Sequence, residues 1–181
     1  PPRSFLNKIG DFLEFWLRSV GEGHIRLVVG TQSPVLEAYC MDPSPLAEVF
    51  LTWCRRGVDG FRCDAGYMVP VAAWQYIIAR VQQEFGGTVF LLEGLGGSWE
   101  ATENLLTDGG MQWAYSELFQ NYSGPDVAKY LDYSLSQSAR VGLYVHYSET
   151  HDNNRLALKG REWSLLRNRL CALSSDVTTP V

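Results

Sequence analysis

Apolar residues follow two alternating patterns along residues 46–181, which indicates a regular succession of strands and helices. Short continuous apolar runs predict strands near 58–63, 88–92, 110–115 and 142–148. Between these runs, apolar positions recur every three or four residues and predict amphipathic helices. These helices are expected over about 46–56, 71–85, 98–107, 126–138 and 161–173. In the last helix, the residues expected to face the core are Trp163, Leu166, Leu170 and Leu173.

Strict alternation of strand and helix favours an α/β fold with a parallel sheet, because right-handed crossovers place successive strands side by side. The run at 58–63 is apolar enough to be covered on both faces of such a sheet. A parallel sheet brings the carboxyl ends of its strands to one edge, where active sites of these folds lie.

The first 45 residues follow this pattern less clearly. Their apolar spacing predicts a helix over about 5–19 and a short strand over 25–29, followed by an irregular connection over 31–45. We therefore treat 1–181 as a single domain, with 1–45 as a leading segment and 46–181 as regular α/β units.

Composition narrows the possible partners. The chain has 181 residues, of which 46% are hydrophobic and 19% charged, and this predicts a folded domain with a sizeable core. A net charge of −5 argues against nucleic acid or an anionic membrane surface as partner. No apolar run reaches the ~18 residues that a membrane span needs. The aromatic fraction of 13% supplies flat faces that could stack on sugar rings, besides filling the core.

The four cysteines show no Cys-x-x-Cys spacing, and they are expected to be free thiols: Cys40, Cys54, Cys63 and Cys171. This favours a reducing compartment. Neither a metal nor a cofactor is expected.

Acidic residues stand at or just after three of the predicted strands: Asp64, Glu93 and Asp152. On the first strand, Arg62 shares a face with Asp64 and would favour the ionised carboxylate. A pair of carboxyl groups, one protonated and one ionised, is what cleavage of a glycosidic bond needs. Each carboxylate alone could instead cap a helix, and Arg62 with Asp64 could be a structural ion pair.

Three segments resemble signatures of the α-amylase superfamily, glycoside hydrolase family 13. Gly60-Phe61-Arg62-Cys63-Asp64-Ala65 resembles the signature of its fourth strand, and Phe90-Leu91-Leu92-Glu93-Gly94 that of its fifth. Thr150-His151-Asp152 is similar to that of its seventh strand. The resemblance extends over about 45–173 and implies part of a (β/α)8 barrel, roughly strands four to seven with their helices.

By this resemblance, Asp64 would be the nucleophile, Glu93 the general acid and base, and Asp152 a third acid that stabilises the distorted sugar. Arg62 would keep Asp64 ionised, and His151 would bind a sugar hydroxyl. The implied function is a retaining α-glycoside hydrolase or glucan transferase acting on α-1,4-linked glucans, such as starch, glycogen or maltooligosaccharides. Further candidate substrate-binding residues near the strand ends are Tyr67, Trp99 and Arg155.

The chain departs from the family pattern in two ways. Thr150 stands where the family usually has Asn, and residues 1–57 carry no strand-three signature. The 181 residues also fall short of the ~250 of a complete eight-stranded barrel. We therefore expect the central part of a barrel, whose remainder would belong to a longer chain. The alternative function is a catalytically incomplete carbohydrate-binding or structural role.

Other motifs are weaker. Gly94-Leu95-Gly96-Gly97 follows a strand, but Trp99 occupies the position of the next glycine of a dinucleotide fingerprint, and a Walker lysine is missing. His146 and His151 are five residues apart, not the four that place two ligands on one helical face. No Gly-x-Ser-x-Gly motif indicates a serine hydrolase.

Overall fold

The computed structural model describes residues 42–174. The helix expected over 5–19, the strand expected over 25–29 and Cys40 lie outside the described residues. Within the described part, the strands are β1 Gly60–Cys63, β2 Val89–Leu92, β3 Trp113–Tyr115 and β4 Leu143–Val145. The helices are α1 Ser44–Cys54, α2 Val71–Glu84, α3 Trp99–Thr107, α4 Gly124–Ser138 and α5 Arg161–Ser174. Short 3-10 turns cover Gly66–Met68, Glu117–Gln120 and Leu156–Lys159.

Serine side chains begin two of the helices. The hydroxyl of Ser98 accepts a hydrogen bond from the N–H of Ala101 at the start of α3. The hydroxyl of Ser123 does the same for Asp126 at the start of α4. Each serine satisfies a backbone donor that the first helical turn leaves without an intrahelical partner.

The four strands form one parallel sheet in the order β1-β2-β3-β4. The α/β class, the four strands and their parallel pairing are therefore confirmed. The arrangement is consistent with part of an α/β barrel, while residues 42–174 by themselves form an open four-stranded sheet.

One face of the sheet carries the main core. Phe61 of β1 and Phe90 of β2 point to this face, where they meet Phe50 of α1. The Phe50 and Phe61 rings pack edge to face with centroids 4.7 Å apart, and Trp74 of α2 contacts Phe50 from the other side. Aromatic pairs in this geometry add about 0.5–1.5 kcal/mol to the free energy of burial. This cluster fixes α1 and α2 on the sheet.

The opposite face is only partly covered within residues 42–174. Strand residues alternate between faces, so this second face presents Arg62, Leu91, Trp113 and Leu143, which are paired in register across the sheet. Arg62 is buried, but Trp113 is 40% exposed and Leu91 and Leu143 are half-buried. Coverage of both faces, predicted for 58–63, is therefore confirmed for β1, while the neighbouring strands are more exposed on this face.

Helix α5 packs on the 3-10 turn at Glu117–Gln120 and on α4 through a small second cluster of Leu118, Tyr130 and Cys171. Arg167 is 2% exposed and donates hydrogen bonds to the carbonyls of Leu118 and Asn121. The prediction that Leu166 and Leu173 face the core is wrong, since they are 58% and 74% exposed. The face of α5 that carries Arg167 and Cys171 packs inward, because Arg167 satisfies carbonyls that leucine could not.

None of the helices within residues 42–174 is long and apolar enough to cross a membrane.

The partly exposed face predicts self-association of the 181-residue chain. It carries apolar side chains beside two outer strands, β1 and β4, whose outer edges have no partner strand within the described residues. Sedimentation velocity over a concentration series should show dimers or larger species. Trp113→Lys should weaken association about tenfold or more, because the ammonium group would be buried at the contact. Tyr76→Lys on the outer side of α2 is the control, and a monomer at all concentrations would contradict the prediction.

Candidate active site

The register of β1 against β2 brings the first two acidic residues side by side. Cys63 pairs with Leu92, so Asp64 and Glu93 follow at the same level on neighbouring strands. The N–H of Glu93 donates to the carbonyl of Cys63 at 2.9 Å, which extends the ladder to this level. Because the two strands are parallel and in register, both carboxyl groups leave the sheet at the same end and on the same face. Neighbouring strands of a sheet are about 4.8 Å apart.

Arg62 forms the expected ion pair with Asp64. Its Nη1 atom lies 2.5 Å from Oδ1 of Asp64, and the arginine side chain is only 9% exposed. Burial disfavours the charged guanidinium, but the hydrogen bond and the charge of Asp64 outweigh this effect and raise the pKa of Arg62. The guanidinium also lies over the ring of Tyr115, 5.3 Å from its centroid. A fixed cation therefore stands beside Asp64.

Two backbone N–H groups hold the carboxylate of Glu93. Ala65 donates to Oε2 at 2.7 Å, and Leu95 donates to Oε1 at 3.1 Å. The donors come from the loops after β1 and β2, so each carboxylate oxygen is bound from a different side. The arrangement restricts the orientation of Glu93, and no cationic side chain of residues 42–174 is in direct hydrogen-bond contact with it.

The loop after β1 contains a sharp turn at Ala65, whose φ of 43° and ψ of 41° are left-handed. This conformation is uncommon for a residue with a side chain and costs about 1–2 kcal/mol. Gly66 follows, and its carbonyl accepts a hydrogen bond from the indole N–H of Trp74 at 2.9 Å. A Cβ at Gly66 would lie 2.5 Å from Cδ1 of Leu92, so a larger residue there would displace the Leu92 side chain.

Two predicted substrate-binding aromatic residues make contacts within the protein. Tyr67 packs against the backbone of Gly96 and Gly97 in the loop after β2. Trp99 stacks on Tyr133, with centroids 4.3 Å apart, and is 39% exposed. One face of the Trp99 ring is therefore already occupied by α4.

The third acidic residue, Asp152, contacts residues of its own loop. Strand β4 ends at Val145, and Asp152 lies on the following loop, 74% exposed. Its carboxylate is 3.3 Å from Nε2 of His151, and its N–H donates to the hydroxyl of Thr150. Arg155 on the same loop pairs with Glu149 at 3.0 Å. Within residues 42–174, the structure thus joins Arg62, Asp64 and Glu93 in one site and keeps His151, Asp152 and Arg155 on a separate exposed loop.

Aromatic rings extend the site along the strand ends. Tyr147 lies 4.9 Å from Tyr115 and 4.9 Å from Phe119, measured between centroids. On the other side of the sheet, Nδ1 of His146 lies 2.7 Å from the hydroxyl of the fully buried Ser116. His146 is therefore tied to a neighbouring strand end, and no group of three or more potential metal ligands occurs within residues 42–174.

Cys63 is the other potential nucleophile next to Asp64. Its thiol is buried on the helix side of the sheet, and burial raises the pKa of Cys63. A thiol that stays protonated and out of reach is a poor nucleophile.

Comparison with known proteins gives one partial similarity. A 48-residue segment is 40% identical to alpha-1,4-glucan:maltose-1-phosphate maltosyltransferase of Rhodospirillum rubrum. The matched segment covers 26% of this chain and 7% of the relative. No family model matches the chain. The similarity is to a glucan-active enzyme, the class that the resemblance at the strand ends implies.

Ala65→Gly should stabilise the protein, because glycine adopts the left-handed conformation without strain. The free energy of unfolding should rise by roughly 0.5–1 kcal/mol, since relief of strain exceeds the added freedom of the unfolded chain. Urea unfolding measures this difference. Ala79→Gly on the exposed side of the middle of α2 is the control and should lower stability by about 1 kcal/mol. A loss of stability in Ala65→Gly would contradict the inferred strain.

Acid should destabilise the protein through His146. Burial lowers the pKa of His146, so the unfolded chain takes up a proton at a pH where the folded protein does not. This contribution to stability is intact above the ordinary histidine pKa of about 6.5 and falls as the pH decreases toward the lowered value. Urea unfolding at about pH 7.5 and about pH 5.5 should show a smaller difference for His146→Gln than for the parent. His151→Gln, in the exposed loop, is the control; equal differences in all three proteins would contradict the prediction.

Proposed function

We propose that the protein is a retaining enzyme acting on α-1,4-linked glucans, as a glycoside hydrolase or a glucan transferase of the α-amylase type. The observation that carries the proposal is the pair of carboxylates at the ends of β1 and β2. Asp64 is paired with the buried Arg62, whereas Glu93 is held by two backbone N–H groups. One carboxyl group contacts a cation and the other contacts backbone N–H groups, so two carboxyl groups in different surroundings lie at neighbouring strand ends.

In the proposed first step, Asp64 attacks the anomeric carbon and forms a covalent glycosyl ester, while Glu93 gives its proton to the departing glycosidic oxygen. In the second step, Glu93 takes a proton from water or from an acceptor sugar hydroxyl, whose oxygen displaces Asp64. Retention needs carboxyl groups about 5–5.5 Å apart, and neighbouring parallel strands about 4.8 Å apart suit this separation.

The remaining candidate residues have proposed roles in substrate binding. Asp152 and His151, exposed on the loop after β4, would contact the reacting sugar from that loop. Trp99 and Arg155 would contact sugars farther along the chain of the glucan. The name of the Rhodospirillum rubrum relative includes an α-1,4-glucan and a maltosyl transfer, and this supports the substrate class proposed here.

A carbohydrate-binding role without catalysis is the second candidate. Asp152 is exposed and contacts His151 rather than Asp64 or Glu93, and this favours the binding role. The two candidates differ in one measurable respect, because a binding protein retains oligosaccharide affinity but forms no covalent intermediate.

Substitution of the two carboxylates tests the proposed mechanism. Asp64→Ala should lower turnover of α-1,4-glucans by at least about a thousandfold, because no covalent intermediate can form. Glu93→Gln should lower it by about 10²–10⁴-fold with ordinary glucans, and should accumulate the glycosyl ester from a substrate such as a glycosyl fluoride, whose leaving group needs no acid. Mass spectrometry should locate that ester on Asp64.

Asp59→Ala is the matched control, since Asp59 is an exposed carboxylate before the opposite end of β1. The Asp59→Ala variant should turn over α-1,4-glucans at the same rate as the parent. Parent-like activity of Asp64→Ala, or products with inverted anomeric configuration, would refute the mechanism. Oligosaccharide binding in the parent without any turnover or glycosyl ester would favour the binding role.

A further inference from the structure

The ring of Tyr67 lies directly on the backbone of the loop after β2. A Cβ added to Gly97 would be 3.0 Å from Cγ of Tyr67, and one added to Gly96 would be 2.9 Å from Cζ and still closer to the hydroxyl oxygen. Real Cβ atoms essentially never lie closer than 3.0 Å to a heavy atom of another, non-adjacent residue, so a Cβ at Gly97 would be at this limit and one at Gly96 would be beyond it. Gly96 and Gly97 are therefore the residues that let the tyrosine ring approach the chain.

The same loop supplies one of the two donors to Glu93. Leu95 lies immediately before Gly96, and its N–H donates to Oε1 of Glu93 at 3.1 Å. The turn is closed by a hydrogen bond of 3.0 Å from the N–H of Gly97 to the carbonyl of Gly94. Any movement of this turn away from the sheet would carry the Leu95 donor away from the carboxylate.

Tyr67 also belongs to the loop that supplies the second donor. It lies two residues after Ala65, whose N–H donates to Oε2 of Glu93 at 2.7 Å. The N–H of Gly66 donates to the backbone carbonyl of Glu93 at 3.2 Å, and the carbonyl of Gly66 is held by Trp74 of α2. The base of Tyr67 is thus fixed on β2 and α2, and its ring reaches across to the other loop.

We propose that Tyr67, Gly96 and Gly97 form a clamp that joins the two loops and so keeps both backbone donors on the carboxylate of Glu93. Tyr67 is then a positioning residue that acts through Glu93, a role other than the substrate contact that the sequence predicts. The effect on catalysis rests on the proposed function of Glu93 as the general acid, whereas the clamp itself concerns only the contact between the two loops.

Amide hydrogen exchange tests the clamp without any need for turnover. In Tyr67→Ala, the amides of Leu95 and Gly97 should exchange roughly tenfold faster or more than in the parent, because the loop loses the ring that covers it. Amides in the middle of α2 serve as the internal reference for global stability. Tyr67→Phe keeps the ring and should exchange within about twofold of the parent.

Gly96→Ala tests the same contact from the other side. The added methyl group would collide with Tyr67 and should accelerate exchange at Leu95 as Tyr67→Ala does. The double variant Tyr67→Ala with Gly96→Ala should be no worse than Tyr67→Ala alone, since the methyl group then has no ring to displace. Gly87→Ala is the matched control, because no atom lies within 4 Å of a Cβ at Gly87.

Steady-state kinetics of the same variants compare ordinary glucans with a glycosyl fluoride, whose leaving group needs no acid. A misplaced acid should slow turnover of ordinary glucans by roughly 10–100-fold in Tyr67→Ala, with less than about a threefold change for a glycosyl fluoride. A lost substrate contact would instead raise KM for both substrates alike.

Parent-like exchange at Leu95 and Gly97 in both Tyr67→Ala and Gly96→Ala would overturn the clamp, as would faster exchange that extends equally to the α2 amides. Faster loop exchange together with equal effects on both leaving groups would overturn the positioning of an acid. If Asp64→Ala kept parent activity, the proposed function would fail, while the exchange result would still decide whether the clamp exists.

Discussion

The parallel pairing of β1 with β2 is the constraint on which the rest of the site depends. It sets Asp64 and Glu93 at one level, and the N–H of Glu93 continues the ladder past the last strand residues. Alternation of side chains then sends both carboxylates to the face opposite the core. A shift of one residue in this register would move one of them to the helix side and separate the pair.

The two faces of the sheet have different contents: one carries the main hydrophobic core, and the other carries the candidate site. On one face, Phe50, Phe61 and Phe90 anchor the first helix on the strands. The other face carries a buried guanidinium whose cost of desolvation is offset by Asp64 and by the Tyr115 ring. Because a buried cation requires a partner, Arg62 and Asp64 constrain each other, and the strand end keeps one geometry.

Close approach of side chains to the backbone explains the glycines around Glu93. Gly66 passes against Leu92, and Gly96 and Gly97 lie under the Tyr67 ring. The left-handed turn at Ala65 is the opposite case, since it retains a side chain in a conformation that glycine adopts freely. Strain of this kind persists where surrounding hydrogen bonds hold it, and here these include the bond to Glu93 and the bond that fixes Gly66 to Trp74.

The periodicity of apolar residues was enough to predict the four strands, the five helices and their parallel order, because each of these depends on spacing along the chain. The same reasoning placed Arg62 and Asp64 on one face, and their ion pair is present. It was wrong about Leu166 and Leu173, since periodicity does not show which stripe of α5 can satisfy the carbonyls of Leu118 and Asn121. It placed Asp152 just after a strand, and in the structure Asp152 is exposed on the loop that follows the end of β4 at Val145. Only the tertiary structure decided how Glu93 is held and what Tyr67 contacts, because backbone N–H groups are identical in every residue but proline and acquire a role only through their position.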